Sequence, residues 1–251
     1  MRKKQRFLEN NRNYVGKKLT ASTPFAVQEA FRTMRANISY ASADAGKRVY
    51  GFTSANACEG KSVLTANLAI SFAMLEKKIL LIDADMRRPS QSLIFADEVK
   101  KGQNGLAEYL AGLTKDIADC LVPCNGLTLM PSGQTPPNPA EMLASARMRE
   151  LIETLSAEYD YIFIDLPPIC QAADAAALAP ALTGCYLVVR SGICEARDIE
   201  HAKEMLDATG ARLCGVILND VESTKSSYYA KQNYYADNNI GAKTEKGEKE
   251  Q

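Results

Sequence analysis

Gly60, Lys61 and Ser62 close the run Ala55-Asn56-Ala57-Cys58-Glu59-Gly60-Lys61-Ser62, which fits the spacing Ala/Gly-x4-Gly-Lys-Ser/Thr. Phosphate oxygens need several donors and a positive charge. Successive loop amides and a helix N-terminus supply donors that point one way. A glycine permits close backbone approach. A lysine reaches the β- and γ-phosphates, and a hydroxyl reaches magnesium. Ala55, Asn56, Ala57, Cys58, Glu59, Gly60, Lys61, Ser62 and Val63 are therefore candidates to cradle a magnesium nucleotide. Two further runs carry carboxylates. Ile79–Ile82 is apolar and leads into Asp83-Ala84-Asp85. Residues two apart on a strand face one side, so both carboxylates can leave the sheet at its carboxyl edge, where open α/β sheets bind ligands. Tyr161–Ile164 is a second apolar run and ends in Asp165. A carboxylate in that place is the usual magnesium partner of a P-loop nucleotidase. Any one of these aspartates serves equally well as a cap or turn former. Three at strand ends, after a phosphate loop, favour magnesium.

The elements that must position these residues alternate. Strand-like runs fall at 48–53, 78–83, 127–131, 161–166, 184–190 and 213–219. Helical spacing falls at about 60–76, 104–112, 140–157, 171–179 and 196–209. Several strands are apolar on both faces, as expected of a mostly parallel sheet with helices on both faces. Each crossover is expected to be right-handed. Before the first strand, 25–44 reads as a helix, with Val27, Ala30, Phe31, Met34 and Ile38 at helical spacing and Glu29, Arg32 and Arg35 on other faces. Three segments are expected: a basic arm at 1–24, an α/β domain at 25–221, and a polar, flexible tail at 222–251.

The chain has 251 residues, enough to bury roughly 70–75% of its unfolded surface without staples. Lys and Arg total 30 and so do Asp and Glu, so no global charge points to nucleic acid. The imbalance is local. Residues 1–20 carry Arg2, Lys3, Lys4, Arg6, Arg12, Lys17 and Lys18 against Glu9. Such an arm suits anionic lipid or an acidic partner, and equally a solvated terminus. It is followed by Asn10-Asn11-Arg12-Asn13 rather than an apolar run, so it does not read as a signal peptide. The most apolar stretch, 167–189, is broken by Pro168, Gln171, Asp174, Pro180 and Gly184, and reads as helix, loop and buried strand instead of a membrane span. Seven scattered cysteines and a single histidine, His201, argue against a disulfide framework and against zinc.

The tail holds an anomaly. Tyr228, Tyr229, Tyr234 and Tyr235 have polar neighbours, Ser226, Ser227, Lys231, Gln232, Asn233 and Asn238. A packed aromatic cluster would bring aliphatic residues with it. Phenols on a flexible strand can reach an active site instead. Each phosphate placed on them adds about −1.5 to −2 charge. Several would repel one another and any acidic site, loosening a docked tail.

The segments ANACEGKS, LLIDADMRRP and YDYIFIDLPP resemble the three ATP-site motifs of the bacterial tyrosine kinases that control capsule and exopolysaccharide synthesis. PSGQTPPNPAEMLAS at 131–145, EAFRTMR at 29–35 and the paired tail tyrosines extend the resemblance over about 25–235. It implies a P-loop NTPase fold of the MinD/ParA-like kind, ATP and Mg2+ as cofactors, and autophosphorylation of the tail tyrosines in a neighbouring copy. Lys61 and Ser62 match the nucleotide lysine and the magnesium hydroxyl. Asp83 matches the carboxylate proposed to take the proton of the attacking hydroxyl. Asp85 and Asp165 match those that hold and orient magnesium, Arg87 and Arg88 a basic patch, and Asn219 a position near adenine. Glu29, Arg32 and Arg35 match a subunit contact that closes a ring. The resemblance further implies a separate transmembrane activator of the polysaccharide co-polymerase type, a cognate tyrosine phosphatase, no nucleic-acid partner, and a cytoplasmic protein recruited to the inner face of the membrane. One departure stands out. The family usually has Pro-Gly where this chain has Ala57-Cys58, which puts the loop's backbone freedom in question. Cys58 beside Lys61 and a helix N-terminus is in surroundings that lower a thiol's pKa, so oxidation of Cys58 is a candidate block to ATP, beside the plainer reading of a tolerated substitution. Two rivals remain. A MinD/ParA-type ATPase switch would carry a lysine where Asn56 stands, and its tail would lack tyrosines. A non-catalytic nucleotide-binding scaffold would fit the altered loop.

Overall fold

The structure, a computed structural model, describes residues 17–221. The central strands are rich in aliphatic and aromatic residues and are buried on both faces, while Leu213–Asn219 at one edge is half-exposed. The strands are β1 (Val49–Ser54), β2 (Ile79–Asp83), β3 (Val122–Cys124), β4 (Leu127–Met130), β5 (Tyr161–Asp165), β6 (Gly184–Arg190) and β7 (Leu213–Asn219). They form a seven-stranded sheet in the order β3-β4-β2-β5-β1-β6-β7. β3 pairs antiparallel with β4, and the remaining pairs are parallel. The helices are α1 (Phe25–Ala41), α2 (Lys61–Ala73), α3 (Gln91–Ile94), α4 (Leu106–Leu110), α5 (Pro139–Ala144), α6 (Ala146–Ser156), α7 (Ala173–Leu178) and α8 (Ala196–Ala208).

Two apolar clusters flank the sheet. One contains Leu80, Ile82, Ile162 and Ile164 with Met148, Leu151 and Leu155 of α6. The other contains Phe52, Leu81 and Phe163 with Leu68, Ile70 and Phe72 of α2. In the second, Phe163 meets Phe52 and Phe72 edge to face, at ring distances of 5.5 and 5.0 Å. This packing seats the helix that carries Lys61 and Ser62 against the strand that carries Asp165. Adjacent strands also align the carboxylates: Asp83 and Asp165 are register partners across β2 and β5.

Several elements depart from the sequence expectation. The stretch 140–157 is two helices. Ser145 is extended (ψ 156°) and its hydroxyl accepts the Met148 N–H at 3.2 Å, so it caps α6 and ends α5. The β3–β4 hairpin was unforeseen. Its turn is Asn125-Gly126, both at positive φ (44° and 83°), the pairing that a two-residue hairpin of right-handed twist requires. Pro123 fits because β3 is an edge strand. The first helix ends at Ala41 rather than 44, and its leading apolar residues, Phe25 and Val27, are exposed. The break-containing stretch 167–189 is α7, a short 3-10 turn and β6. Among the described residues no helix is long and apolar enough to cross a membrane.

Phe163→Ala removes the ring that joins α2 to the sheet. We expect a loss of about 3–5 kcal/mol in urea unfolding. A loss under 1 kcal/mol would show that the aromatic cluster does not hold the site's framework together.

Candidate active site

β1 runs into the loop 55–60, and α2 begins at Lys61. Gly60 is left-handed (φ 82°) and caps α2. A Cβ there would sit 2.2 Å from Nδ2 of Asn219 and on a left-handed backbone, so any other residue would be strained and would displace Asn219. Asn219 Nδ2 in turn donates to the Glu59 carbonyl at 2.9 Å, which ties the end of β7 to the loop. Glu59 is buried and works within the loop. Its Oε1 accepts the Asn56 N–H at 2.8 Å, and its Oε2 accepts the Arg190 N–H at 3.3 Å. Ser54 Oγ donates to the Asn56 carbonyl at 2.7 Å, and Asn56 Nδ2 donates to Asp198 Oδ2 at 2.9 Å. Cys58 is exposed and also left-handed (φ 67°), a conformation that costs a residue with a Cβ roughly 1–2 kcal/mol. The Ala57-Cys58 departure is therefore a strained position.

Behind the loop lies a dry charged cluster. Lys61 Nζ donates to Asp165 Oδ1 at 2.5 Å and lies 3.5 Å from Asp85 Oδ2. It also approaches Ser62 Oγ at 3.2 Å. Asp83 and Asp165 are fully buried, and Asp85 and Lys61 are nearly so. Burial alone would lower the Lys61 pKa, but Asp165 and Asp85 outweigh it and the pKa stands raised. Burial, with the Asp165 charge, pushes the Asp83 carboxyl well above the usual range, against the pull of the Gln91 N–H. Burial also raises Asp85, with Lys61 opposing. The Asp83 oxygens accept three backbone N–H groups, from Asp85 (3.2 Å), Ser90 (3.1 Å) and Gln91 (3.0 Å). Asp83 thus shapes the loop as well as charging it. Asp85 Oδ1 accepts the Arg88 N–H at 3.0 Å.

Two flanking residues escaped the sequence reading. Asp174 is fully buried in the first turn of α7 and takes a two-pronged contact from Arg87, at 2.7 and 2.9 Å. That fork fastens the loop after Asp85 to α7. Gln91 Nε2 donates to Asp165 Oδ2 at 2.7 Å and to the Ser62 carbonyl at 3.1 Å. A buried glutamine beside three aspartates is visible only once the loop is folded. A separate groove, lined by Lys77, Lys78, Asn125 and Tyr159, lies at the opposite edge of the sheet, where the strands begin.

Residues 52–205 match a family described as an AAA domain. The chain is 40% identical over 204 residues to the tyrosine-protein kinase YwqD of Bacillus subtilis, covering 80% of this chain and 84% of that one. The chain belongs to the bacterial tyrosine-protein kinase family. It is 36% identical over 209 residues to the tyrosine-protein kinase CpsD of Streptococcus agalactiae, covering 82% and 89%. The solved kinase domain of the Escherichia coli tyrosine kinase ETK superposes with a TM-score of 0.73 at 31% identity, over 80% of this chain and 79% of that one.

In this kinase-family chain, α1 places Glu29 and Arg32 in an ion pair on an open face. Arg35 instead donates to the Ser71 carbonyl and hydroxyl, so it grips α2 within the same subunit. Tyr228, Tyr229, Tyr234 and Tyr235 lie outside the described residues.

Lys61 neutralises carboxylates that are otherwise buried together. Lys61→Met is expected to lower the unfolding free energy by about 3 kcal/mol at pH 7. A carboxyl whose pKa is raised on folding adds stability at acidic pH and loses it as pH rises through the folded value. Losing Lys61 raises Asp83 and Asp85 further, so the deficit should shrink as pH falls toward 4. An equal deficit at both pH values would mean that packing, not charge, sets it. Cys58→Gly should raise the unfolding free energy by ~0.5–1 kcal/mol by relieving the left-handed backbone. No gain by calorimetry would show that the loop holds Cys58 without strain.

Proposed function

We propose that the protein is an ATP-dependent protein-tyrosine autokinase that phosphorylates the C-terminal tyrosines of a neighbouring copy. The observation that carries this is the convergence of Lys61, Ser62, Asp83, Asp85 and Asp165 at the carboxyl ends of three neighbouring strands, beneath a left-handed glycine at a helix start. The donor set fits magnesium. Among the described residues no group of three or more His, Cys, Asp or Glu side chains is arranged to enclose a metal. Magnesium favours one or two carboxylates with water and substrate phosphate over an all-protein cage. Ser62, Asp85 and Asp165 are the residues that would hold it, and it would supply charge neutralisation at the β- and γ-phosphates.

The reaction then follows from what these side chains do. Lys61 leaves Asp165 for the β/γ-phosphates. Residues 55–63 offer loop amides to the phosphate oxygens. A tail phenol oxygen attacks the γ-phosphorus, the bond to the β–γ bridging oxygen breaks, and ADP leaves. The phenol proton passes to Asp83, whose carboxyl is made a better proton acceptor than a free carboxylate by burial and the Asp165 charge. Asn219, bonded to the Glu59 carbonyl, borders the nucleotide from the β7 side. Glu29 and Arg32 on the open face of α1 offer a contact to the next subunit of a ring, and the exposed Phe25 and Val27 extend it. The remaining partners are a membrane-spanning activator of the polysaccharide co-polymerase type, which would bring the kinase to the inner face of the membrane, and a tyrosine phosphatase that resets the tail. Capsule or exopolysaccharide export is the process served.

The test is incubation with labelled ATP and magnesium, with and without the activator's cytosolic tail, followed by phosphotyrosine detection. Label is expected on the wild type. Lys61→Met should reduce it at least 100-fold. Replacing the four tail tyrosines by Phe should abolish it with ATP binding intact. ATP turnover without label would overturn the kinase reading in favour of an ATPase switch. Neither label nor turnover would favour a nucleotide-binding scaffold.

A further inference from the structure

Gln91 is the first residue of α3 and is fully buried. It touches all three motif segments. Its backbone N–H donates to Asp83 Oδ2 at 3.0 Å, and its carboxamide lies between Asp165 Oδ2 (2.7 Å) and the Ser62 carbonyl (3.1 Å). Both side-chain partners are acceptors, so the NH2 group must face them and the oxygen must face away. That oxygen, Oε1, has no hydrogen-bond partner among the described residues. A buried acceptor left without a donor costs about 1–3 kcal/mol, so the two bonds made by the NH2 group are what keep the side chain in this orientation.

We propose that Gln91 is a positioning residue for the magnesium nucleotide: its NH2 group, held between Asp165 and the Ser62 carbonyl, fixes the Asp165 carboxylate toward the metal site. The inference rests on the magnesium-nucleotide reading of the site and goes one residue beyond it. Asp165 is contested on one oxygen by Lys61 and held on the other by Gln91. Lys61 must leave when phosphate arrives. Gln91 is neutral, so it keeps the carboxylate oriented without cancelling the charge that magnesium needs. Residues that orient a metal's ligands commonly change metal affinity by 10–100-fold when replaced.

The experiment is calorimetric binding of ADP to the full chain, once with magnesium and once with EDTA. The ratio of the two affinities is the gain due to magnesium. The wild type is expected to show such a gain, and its absence would sink the magnesium reading itself. Gln91→Met keeps the volume and removes the amide. It should cut the gain about tenfold and leave the EDTA affinity within twofold of wild type. Gln91→Glu keeps the size and a polar end but loses the donors to Asp165 and Ser62, and should cut the gain at least as much. An unchanged gain in either folded variant, or equal losses with and without magnesium, would overturn the proposal and leave Gln91 as packing.

Discussion

The structure turns on one lysine held among buried carboxylates. Lys61 contacts Asp165 and Asp85 in a space nearly closed to water, with Asp83 on the adjacent strand. Three carboxylates so placed oppose folding, and the sheet's packing together with one ammonium offsets that cost. The arrangement explains why Asp83 and Asp85 hold their protons more tightly than free carboxylates. It also explains how the site can exchange partners. In the proposed reaction a nucleotide would supply negative phosphates for Lys61, and magnesium would supply positive charge for the aspartates. Both sides of the internal ion pair would thereby be replaced at once.

The same economy appears in the loop above. Glu59 uses its carboxylate on the backbone N–H groups of Asn56 and Arg190, and Asn219 closes the back of Gly60. The loop shape is thus held by contacts outside the phosphate-facing surface. Cys58 is the exception, a side chain in a conformation that suits glycine. Its strain is local and leaves the cluster beneath untouched.

Much of this was legible in the sequence. Strand periodicity located β1, β2 and β5, and the aspartates ending β2 and β5 pointed to the carboxyl edge of the sheet. The lysine-serine pair located the helix start. What escaped depended on chain segments meeting in three dimensions. Asp174 looked like a break in an apolar run, and only folding sets it against Arg87. Gln91 lies in an unremarkable polar stretch, and only the loop shaped by Asp83 turns it inward. Asn125-Gly126 was a readable hairpin signal between short apolar pairs, overlooked because β3 is three residues long. Ser145 hid inside a long helical period because its capping role depends on backbone geometry.

The central claim is that Lys61 trades a carboxylate for a phosphate. A crystal structure of the protein with ADP and magnesium tests it most directly. The account predicts Lys61 Nζ within hydrogen-bond distance of a phosphate oxygen and no longer on Asp165. Lys61 still bonded to Asp165 with nucleotide and magnesium in place would contradict it.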